Sequence, residues 1–427
     1  MGMNEKEIFA LALGLSGTPW RVTDVTLDLT QKPGRLDIRL DFPPGSRFPR
    51  AGDGQLCPVY DTEEHTWRHL NFFQYECYLH AWVPRIDGGA EGIKTAAVPW
   101  ARARSGFTLL MEAMMVLLSQ TGMAVAEAAR TLGETAHRLW RVLFWHVDQA
   151  HGQIDVQAVS QLTVDETSVR RGHDYVTVVC EPGQKARGRR KRKPTRVLFV
   201  AEGRDSDTLR QTREFLERRG GKAEQIQEIC TDMSLAYIKG IGENFNDSRV
   251  VFDYFHIVSL ITQAVDKIRR RESQQFPDLL KGTRYLWLKR AENLSEEQVE
   301  KRSQLCRYNL QTAKAFCHLN AFQDLLSARE VEEAVSGLKW WYNWVCHSRI
   351  PEMIEVAKSI KRHWEGVVAY LETRLTNGPA EAINGIIQTV KRKCRGFRNF
   401  LYFRTMIYLV ASKLTFALPS PVPINPH

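Results

Sequence analysis

The stretch QLTVDETSVRRGHDYVTVVC, residues 161–180, decides how the second half of the chain folds. Leu162-Thr163-Val164 is a short apolar run that reads as a strand, with Asp165 within it or at its end. Tyr175 to Val179 reads as a second strand and Val197 to Val200 as a third. A helix over Asp207 to Arg219 follows, then a strand from Ile226 to Thr231 with Asp232 at its mouth, and a short helix from Leu235 to Gly240. Val250 to Phe252 is another strand, leading into a long basic helix from His256 to about Ser273. Residues 276–365 read as helical throughout and carry Trp287, Trp340, Trp341, Trp344 and Trp364. A last helix opens near Thr376-Asn377-Gly378-Pro379, where Asn377 or Thr376 can cap and Pro379 suits the first turn.

This order places three carboxylates where the backbone holds them rigidly: Asp165 on the first strand, Asp232 at a later strand end, and Glu381 in the first turn or so of the last helix. Asn384 shares the face of Glu381 at i+3. Hard Mg²⁺ prefers carboxylate oxygens and keeps positions open for water and phosphate. Two such ions about 3.5–4 Å apart clamp the attacking and leaving oxygens of a phosphodiester. Among 49 acidic residues a triplet alone is unselective, and an isolated Asp at a strand end is commonly a turn or cap residue. The order of elements supplies the selectivity. Strand with Asp, two strands, helix, strand with Asp, a long helical segment and a helix with Glu is the order of an RNase H-like fold carrying an all-helical insertion. The expected class is therefore α/β and multidomain.

Upstream, residues 20–48 alternate through Val22, Val25, Leu27, Leu29 and then Leu36, Ile38, Leu40 and Phe42, which predicts a β-hairpin about Lys32-Pro33-Gly34. Residues 49–100 read as short strands rich in Trp, Tyr and His, a β-rich module with the thin core that often needs a metal staple. From Phe107 the period turns helical. Three short helices, with AEAARTLG at the central turn, resemble a helix-turn-helix; His137, Arg138, Trp140 and Arg141 would lie on its recognition helix. A plain three-helix packing unit is the alternative.

A length of 427 residues accommodates several cores, and 59 Lys+Arg against 49 Asp+Glu gives a net charge of +10. That balance suits a polyanionic partner or a basic enzyme, while the composition excludes collagen-like, disordered and disulfide-scaffold classes. The eight cysteines are scattered with no Cys-x-x-Cys pair, so reduced thiols in a cytoplasmic protein are expected. No run reaches the roughly 18 apolar residues of a spanning helix; Phe400 to Leu418 is interrupted by Arg404 and Lys413. The acidic start has too short an apolar run for a secretory signal.

Basic residues concentrate at Gln184–Arg196, where Arg187, Arg189, Arg190, Lys191, Arg192 and Lys193 sit between the second and third predicted strands of the carboxylate region. They read as phosphate contacts at a hairpin tip or as a solvated charged loop. Lys391, Arg392, Lys393 and Arg398 follow Glu381 and could track a nucleic acid strand. Trp340, Trp341 and Trp344 are candidates for stacking an unpaired base, with core packing as the competing role.

Further residues carry a family resemblance over nearly the whole chain. They are Trp20-Arg21-Val22-Thr23-Asp24, Trp67-Arg68-His69-Leu70, Val98-Pro99-Trp100-Ala101-Arg102, Val164-Asp165-Glu166 and Arg170-Arg171-Gly172-His173-Asp174-Tyr175. They continue with Thr231-Asp232-Met233-Ser234, Asp253-Tyr254-Phe255-His256, Thr376-Asn377-Gly378, Glu381-Ala382-Ile383-Asn384, Lys391-Arg392 and Gly396-Phe397-Arg398-Asn399-Phe400. In these residues the chain resembles the DDE transposases of bacterial insertion sequences, most closely the ISL-three family.

The resemblance implies that Asp165, Asp232 and Glu381 bind two Mg²⁺ or Mn²⁺ ions, and that Asp253 and His256 form the Asp-x-x-His signature that follows the second acid. Glu166 and Asn384 would stand beside the acids. The implied partners are double-stranded DNA, as terminal inverted repeats and target, with a homodimer or larger assembly on DNA, in the bacterial cytoplasm at the nucleoid and with no membrane. The implied parts are a zinc-ribbon-like module (1–104), a helix-turn-helix (105–152), a catalytic domain in two pieces (153–275 and 371–418), a helical insertion (276–370) and a flexible tail (419–427).

The zinc ribbon departs from the family. Its ligand stretches here read Phe48-Pro49-Arg50-Ala51-Gly52-Asp53-Gly54 and Gly88-Gly89-Ala90-Glu91, without the thiolates or imidazoles structural zinc requires. Structural zinc is therefore not expected, and packing of Trp67, Phe72, Phe73, Tyr75, Tyr78 and Trp82 is expected in its place. A transposase-derived DNA-binding protein that no longer cuts is the rival reading, and a stand-alone nuclease of the same fold is a third.

Overall fold

The computed structural model describes residues 3–170, 174–183, 194–289 and 291–422. After a short helix, α1 (Glu5–Ala12), the chain forms a sheet in the order β1-β2-β5-β4-β3, with β6 on β5. The strands are β1 (Arg21–Asp28), β2 (Arg35–Asp41), β3 (Arg47–Pro49), β4 (Leu56–Phe72), β5 (Tyr75–Asp87) and β6 (Ile93–Thr95). The expected first hairpin is present, with Val25 opposite Ile38 and Leu27 opposite Leu36.

The short strands expected over 49–100 are instead a long hairpin, β4 of 17 residues against β5 of 13. One face of that hairpin is so polar that its apolar period is obscured along β4. On β5 the alternation is plain: Cys77, Leu79, Ala81 and Val83 are buried. The core differs from expectation too. Of the six aromatics proposed to replace a metal, only Trp67 is in it. Phe72 and Phe73 sit at the exposed hairpin tip, Trp82 points outward between buried neighbours, and Tyr75 and Tyr78 are half-buried. The core is built on edge-to-face contacts of Trp100 with Trp20 and Trp67, at 4.9 and 5.5 Å between ring centroids.

Three helices follow: α2 (Leu109–Gln120), α3 (Val125–Thr131) and α4 (Ala136–Gly152). Thr108 and Thr135 cap α2 and α4, Ala128 and Ala129 are buried between the helices, and Gly133 takes the positive φ the turn needs. The β-module is docked on this unit. The Arg68 N–H donates to the Gly106 carbonyl at 2.9 Å, and the Thr108 N–H donates back to the Arg68 carbonyl at 3.1 Å. Buried Glu112 ties the unit internally, with Arg102 at 3.0 Å and His146 at 2.7 Å.

The second sheet runs β11-β10-β7-β8-β9. Strands β7 (Gln161–Ser168), β8 (Tyr175–Glu181) and β9 (Arg196–Glu202) form an antiparallel meander; β10 (Glu228–Thr231) and β11 (Arg249–Phe252) run parallel to β7. Helices α5 (Asp207–Glu217) and α6 (Leu235–Asn244) are the crossovers. An all-helical stretch then comprises α7 (Tyr254–Gln275), α8 (Pro277–Leu280), α9 (Arg284–Leu288), α10 (Glu296–Cys306), α11 (Gln311–Ser327), α12 (Val331–Cys346), α13 (Pro351–Arg362) and α14 (Trp364–Thr373). The chain returns to the sheet as α15 (Gly378–Lys393) and α16 (Phe400–Ala411).

The cores cross the divisions suggested by the sequence. Val164, Val179 and Leu198 pack against α5 and α6 on one face of the sheet. On the other face, Val176, Val178, Cys180, Val197 and Val200 join α15, α16 and all three helices of the α2–α4 unit in one continuous core. Helix α7 packs into the helical bundle, and Val251 and Phe252 of β11 join that core as well. Among the described residues no helix is long and apolar enough to cross a membrane.

Candidate active site

Strand register brings the acids together. Thr163 of β7 is level with Cys230 of β10, so Asp165, two residues on, is level with Asp232 just beyond β10. Thr231 is level with Phe252, which sets Asp253, the first residue after β11, beside Asp232. Neighbouring strands lie about 4.8 Å apart, so three aspartates line the carboxyl edge of the parallel strands, where open α/β sheets hold their ligands. Side chains alternate along β7: Leu162 and Val164 face α5 and α6, leaving Asp165 on the side of α15.

From α15, Asn384 donates through Nδ2 to Asp165 Oδ2 at 2.8 Å, and the Glu166 N–H donates to Asp165 Oδ1 at 2.8 Å. Burial, reinforced by the charges of Asp232 and Glu381, pushes the Asp165 carboxyl from its ordinary 3.8 up to about 6 against the opposing pull of the Glu166 N–H and His256. Asp165, Asp232, Glu381 and His256 therefore share one electrostatic site. The tightest set of ligating atoms among the described residues is Asp253, His256 and Glu381, all within 4.8 Å of one another.

Asp253 is also a structural hub. Its Oδ2 accepts the Phe255 N–H at 3.1 Å and caps α7, while Oδ1 accepts the Asn377 N–H at 2.8 Å. Asn377 precedes α15 but does not cap it with its side chain, as the sequence suggested. Its Nδ2 donates instead to the Val164 carbonyl at 3.2 Å, and the hydroxyl of Thr376 accepts the Gly378 N–H at 3.3 Å.

Several expected site residues are engaged elsewhere. Glu166 pairs with Arg204 at 3.4 Å, because neighbouring side chains on a strand face opposite ways. Lys391, expected on DNA, donates to the Ser168 carbonyl at 2.6 Å, and burial lowers its ammonium pKa. Arg138 pairs with Glu134 at 2.6 Å and lies 4.1 Å over the Phe107 ring. Trp140 packs edge-on against Tyr402 of α16 at 4.6 Å.

Trp341 is fully buried and donates to the His318 carbonyl, so it cannot stack on a base. Trp344 is half-buried with its ring 4.3 Å from His318, whereas Trp340 is 60% exposed and stacks on Trp344 at 5.0 Å. Arg141, Arg392, Lys393 and Arg398 are exposed. Arg187, Arg189, Arg190, Lys191, Arg192 and Lys193 lie outside the described residues, as do Arg171, Gly172 and His173.

Sequence reading missed one residue that positions α15. Gln388 donates to the Thr167 hydroxyl at 2.6 Å and the Ser168 carbonyl at 3.1 Å, continuing the line of Glu381, Asn384 and Lys391. This polar stripe at helical spacing zips α15 onto β7; the periodicity 381, 384, 388, 391 was the available signal.

Residues 162–407 match the family model described as "Transposase", of the DDE ISL3 type, and residues 96–143 match "Helix-turn-helix domain of transposase family ISL3". The chain belongs to the ISL3 family of transposases. Among curated relatives it is 27% identical over 369 residues to the "Transposase for insertion sequence element IS1557" of Mycobacterium tuberculosis, covering 78% of each chain. It is 25% identical over 365 residues to the "Transposase for insertion sequence element IS1001" of Bordetella parapertussis, covering 81% of this chain and 84% of that one. For this ISL3-family chain, the α2–α4 unit is thus a DNA-binding helix-turn-helix rather than a plain packing unit, and the family implies dependence on a divalent metal.

Proposed function

We propose that the protein binds the terminal inverted repeats of an insertion sequence and catalyses cleavage and strand transfer at their ends, with Asp165, Asp232 and Glu381 as the catalytic acids. The carrying observation is the lateral register of Asp165 and Asp232 beneath the helix bearing Glu381. The strand order, with a meander followed by two strands parallel to its first member, supports reading 153–275 with 371–418 as an RNase H-like domain around a helical insertion.

The residues fit a divalent metal. The donors of Asp165, Asp232 and Glu381 are all carboxylate oxygens, with Asp253 and the His256 imidazole clustered beside Glu381, and the buried Oδ1 of Asn384 has no hydrogen-bond partner beside Asp165. Asp165, Asp232 and Glu381 would hold it, as Mg²⁺ or Mn²⁺ in two sites, and it would supply charge neutralisation at the phosphodiester and an activated oxygen nucleophile. The chain's own part is orientation. Asn384 fixes the Asp165 carboxylate, Asp253 joins the starts of α7 and α15, and the stripe on α15 sets Glu381 along β7. A dimer or larger assembly would pair two DNA ends.

Assembly of the acids at one edge favours a cutting enzyme over a DNA-binding descendant, which has no use for mutually repelling carboxylates. Asp232→Asn should abolish cleavage and joining of an end-sequence duplex in Mg²⁺ while leaving its binding intact. Retained strand transfer would overturn the assignment.

A further inference from the structure

Helix α15 has a second face that the acidic stripe does not use. Ala382, Gly385, Ile386, Thr389 and Lys393 recur at helical spacing along it, and with Gln120 at the end of α2 and the Thr121-Gly122 turn beyond it they line a groove of about 540 Å³. One wall therefore belongs to the helix-turn-helix and the other to the helix that carries Glu381. The two share one hydrophobic core, so the groove has fixed walls. Among the described residues no acidic side chain lines it, and Arg392 and Lys393 supply positive charge.

Gly385 stands in mid-helix with nothing within 4 Å of where a Cβ would be. A helical glycine costs about 0.5–1 kcal/mol relative to alanine, and no packing neighbour here requires it. Ile386 beside it is 47% exposed. Small side chains, missing steric bulk and unopposed positive charge together describe a seat for a polyanionic backbone.

We propose that this groove seats the sugar–phosphate backbone of a DNA strand passing between the helix-turn-helix and the acidic centre, with Gly385 permitting close approach and Arg392 and Lys393 contacting phosphates. The proposal rests on the transposase reading above and deepens it. Its test is binding of a short mixed-sequence duplex by the full chain in metal-free buffer, which does not depend on catalysis. Gly385→Gln should leave the thermal midpoint unchanged or raised and weaken binding by about tenfold. The double change Arg392→Ala with Lys393→Ala should lower the slope of log affinity against log salt by about 2, close to 0.9 for each phosphate contact.

p-Benzoylphenylalanine placed at Ile386 should photocrosslink to the duplex, and placed at exposed Tyr308 of the helical bundle should not. A protein–protein adduct at 386, showing a second copy in the groove, would overturn the proposal. So would a bound duplex that forms no adduct there, or an unchanged salt slope. Loss of cleavage in Mg²⁺ with the crosslink retained would instead count against the catalytic reading alone.

Discussion

Asp165→Asn should make the metal-free protein more stable near neutral pH, and the gain should disappear in acid. The Asp165 carboxyl is raised from 3.8 to about 6, first by burial and then by Asp232 and Glu381. Above about pH 6 it is ionised in both the folded and unfolded chain, so the folded state carries the whole unfavourable difference. As pH falls from 6 towards 3.8 the folded carboxyl takes up its proton first and the difference closes; below 3.8 both forms are neutral. At about 1.36 kcal/mol per pH unit, the gap amounts to roughly 3 kcal/mol as a ceiling. Asn is nearly isosteric, but its single carbonyl oxygen can accept from Asn384 Nδ2 or from the Glu166 N–H and not from both, which holds the gain below that ceiling.

For a unit of 150–250 residues, each kcal/mol moves the thermal midpoint by about 2–4 °C. A rise of about 3–10 °C at pH 8 is therefore expected, shrinking to nothing by pH 4. The assay is a thermal melt of both proteins across that range in chelator, repeated with Mg²⁺. The metal should stabilise the parent and not the variant. A variant no more stable at pH 8, or a gain equal at both pH values, would refute the electrostatic account of this site.

Asn384→Ala should leave the fold intact by circular dichroism but raise the Mg²⁺ concentration needed for cleavage by about 10–100-fold, because Asp165 loses the donor that fixes it. Trp341→Ala should destabilise the protein by about 3–5 kcal/mol in urea unfolding, whereas Trp340→Ala should stay within about 0.5 kcal/mol, because only the former is buried. Metal analysis of the purified protein should return no stoichiometric zinc. In the β-module Asp53 is already held by Arg50, Glu91 lies 3.5 Å from Lys94, and the core is closed by Trp20, Trp67 and Trp100.

Local pattern made much of this legible. The apolar runs at 162–164 and 229–231 located two acids on neighbouring strands, and Asn377-Gly378-Pro379 announced the helix that brings the third. The three helices at 109–152 were marked by their periodicity and by Gly133. Reading failed where a residue's partner is remote. Lys391 looks like any cation of a basic run, yet Ser168, 223 positions away, takes its proton donors. Trp340 and Trp341 are adjacent in sequence, and only the packing of α12 on α11 buries one and exposes the other.

The sequence by itself determined the element order from residue 107 onward, the places of Asp165, Asp232 and Glu381 on those elements and the missing zinc ligands, because strand runs, helix starts and ligand chemistry are short-range properties. Only the tertiary structure decided how those acids meet. Glu381 returns to Asp165 after a helical stretch of more than a hundred residues, and no local pattern can set that register. It is set by side chains on the returning helix, Asn384 on Asp165 and Gln388 on Thr167, and by the shared core that fuses the helix-turn-helix to the sheet bearing Asp165.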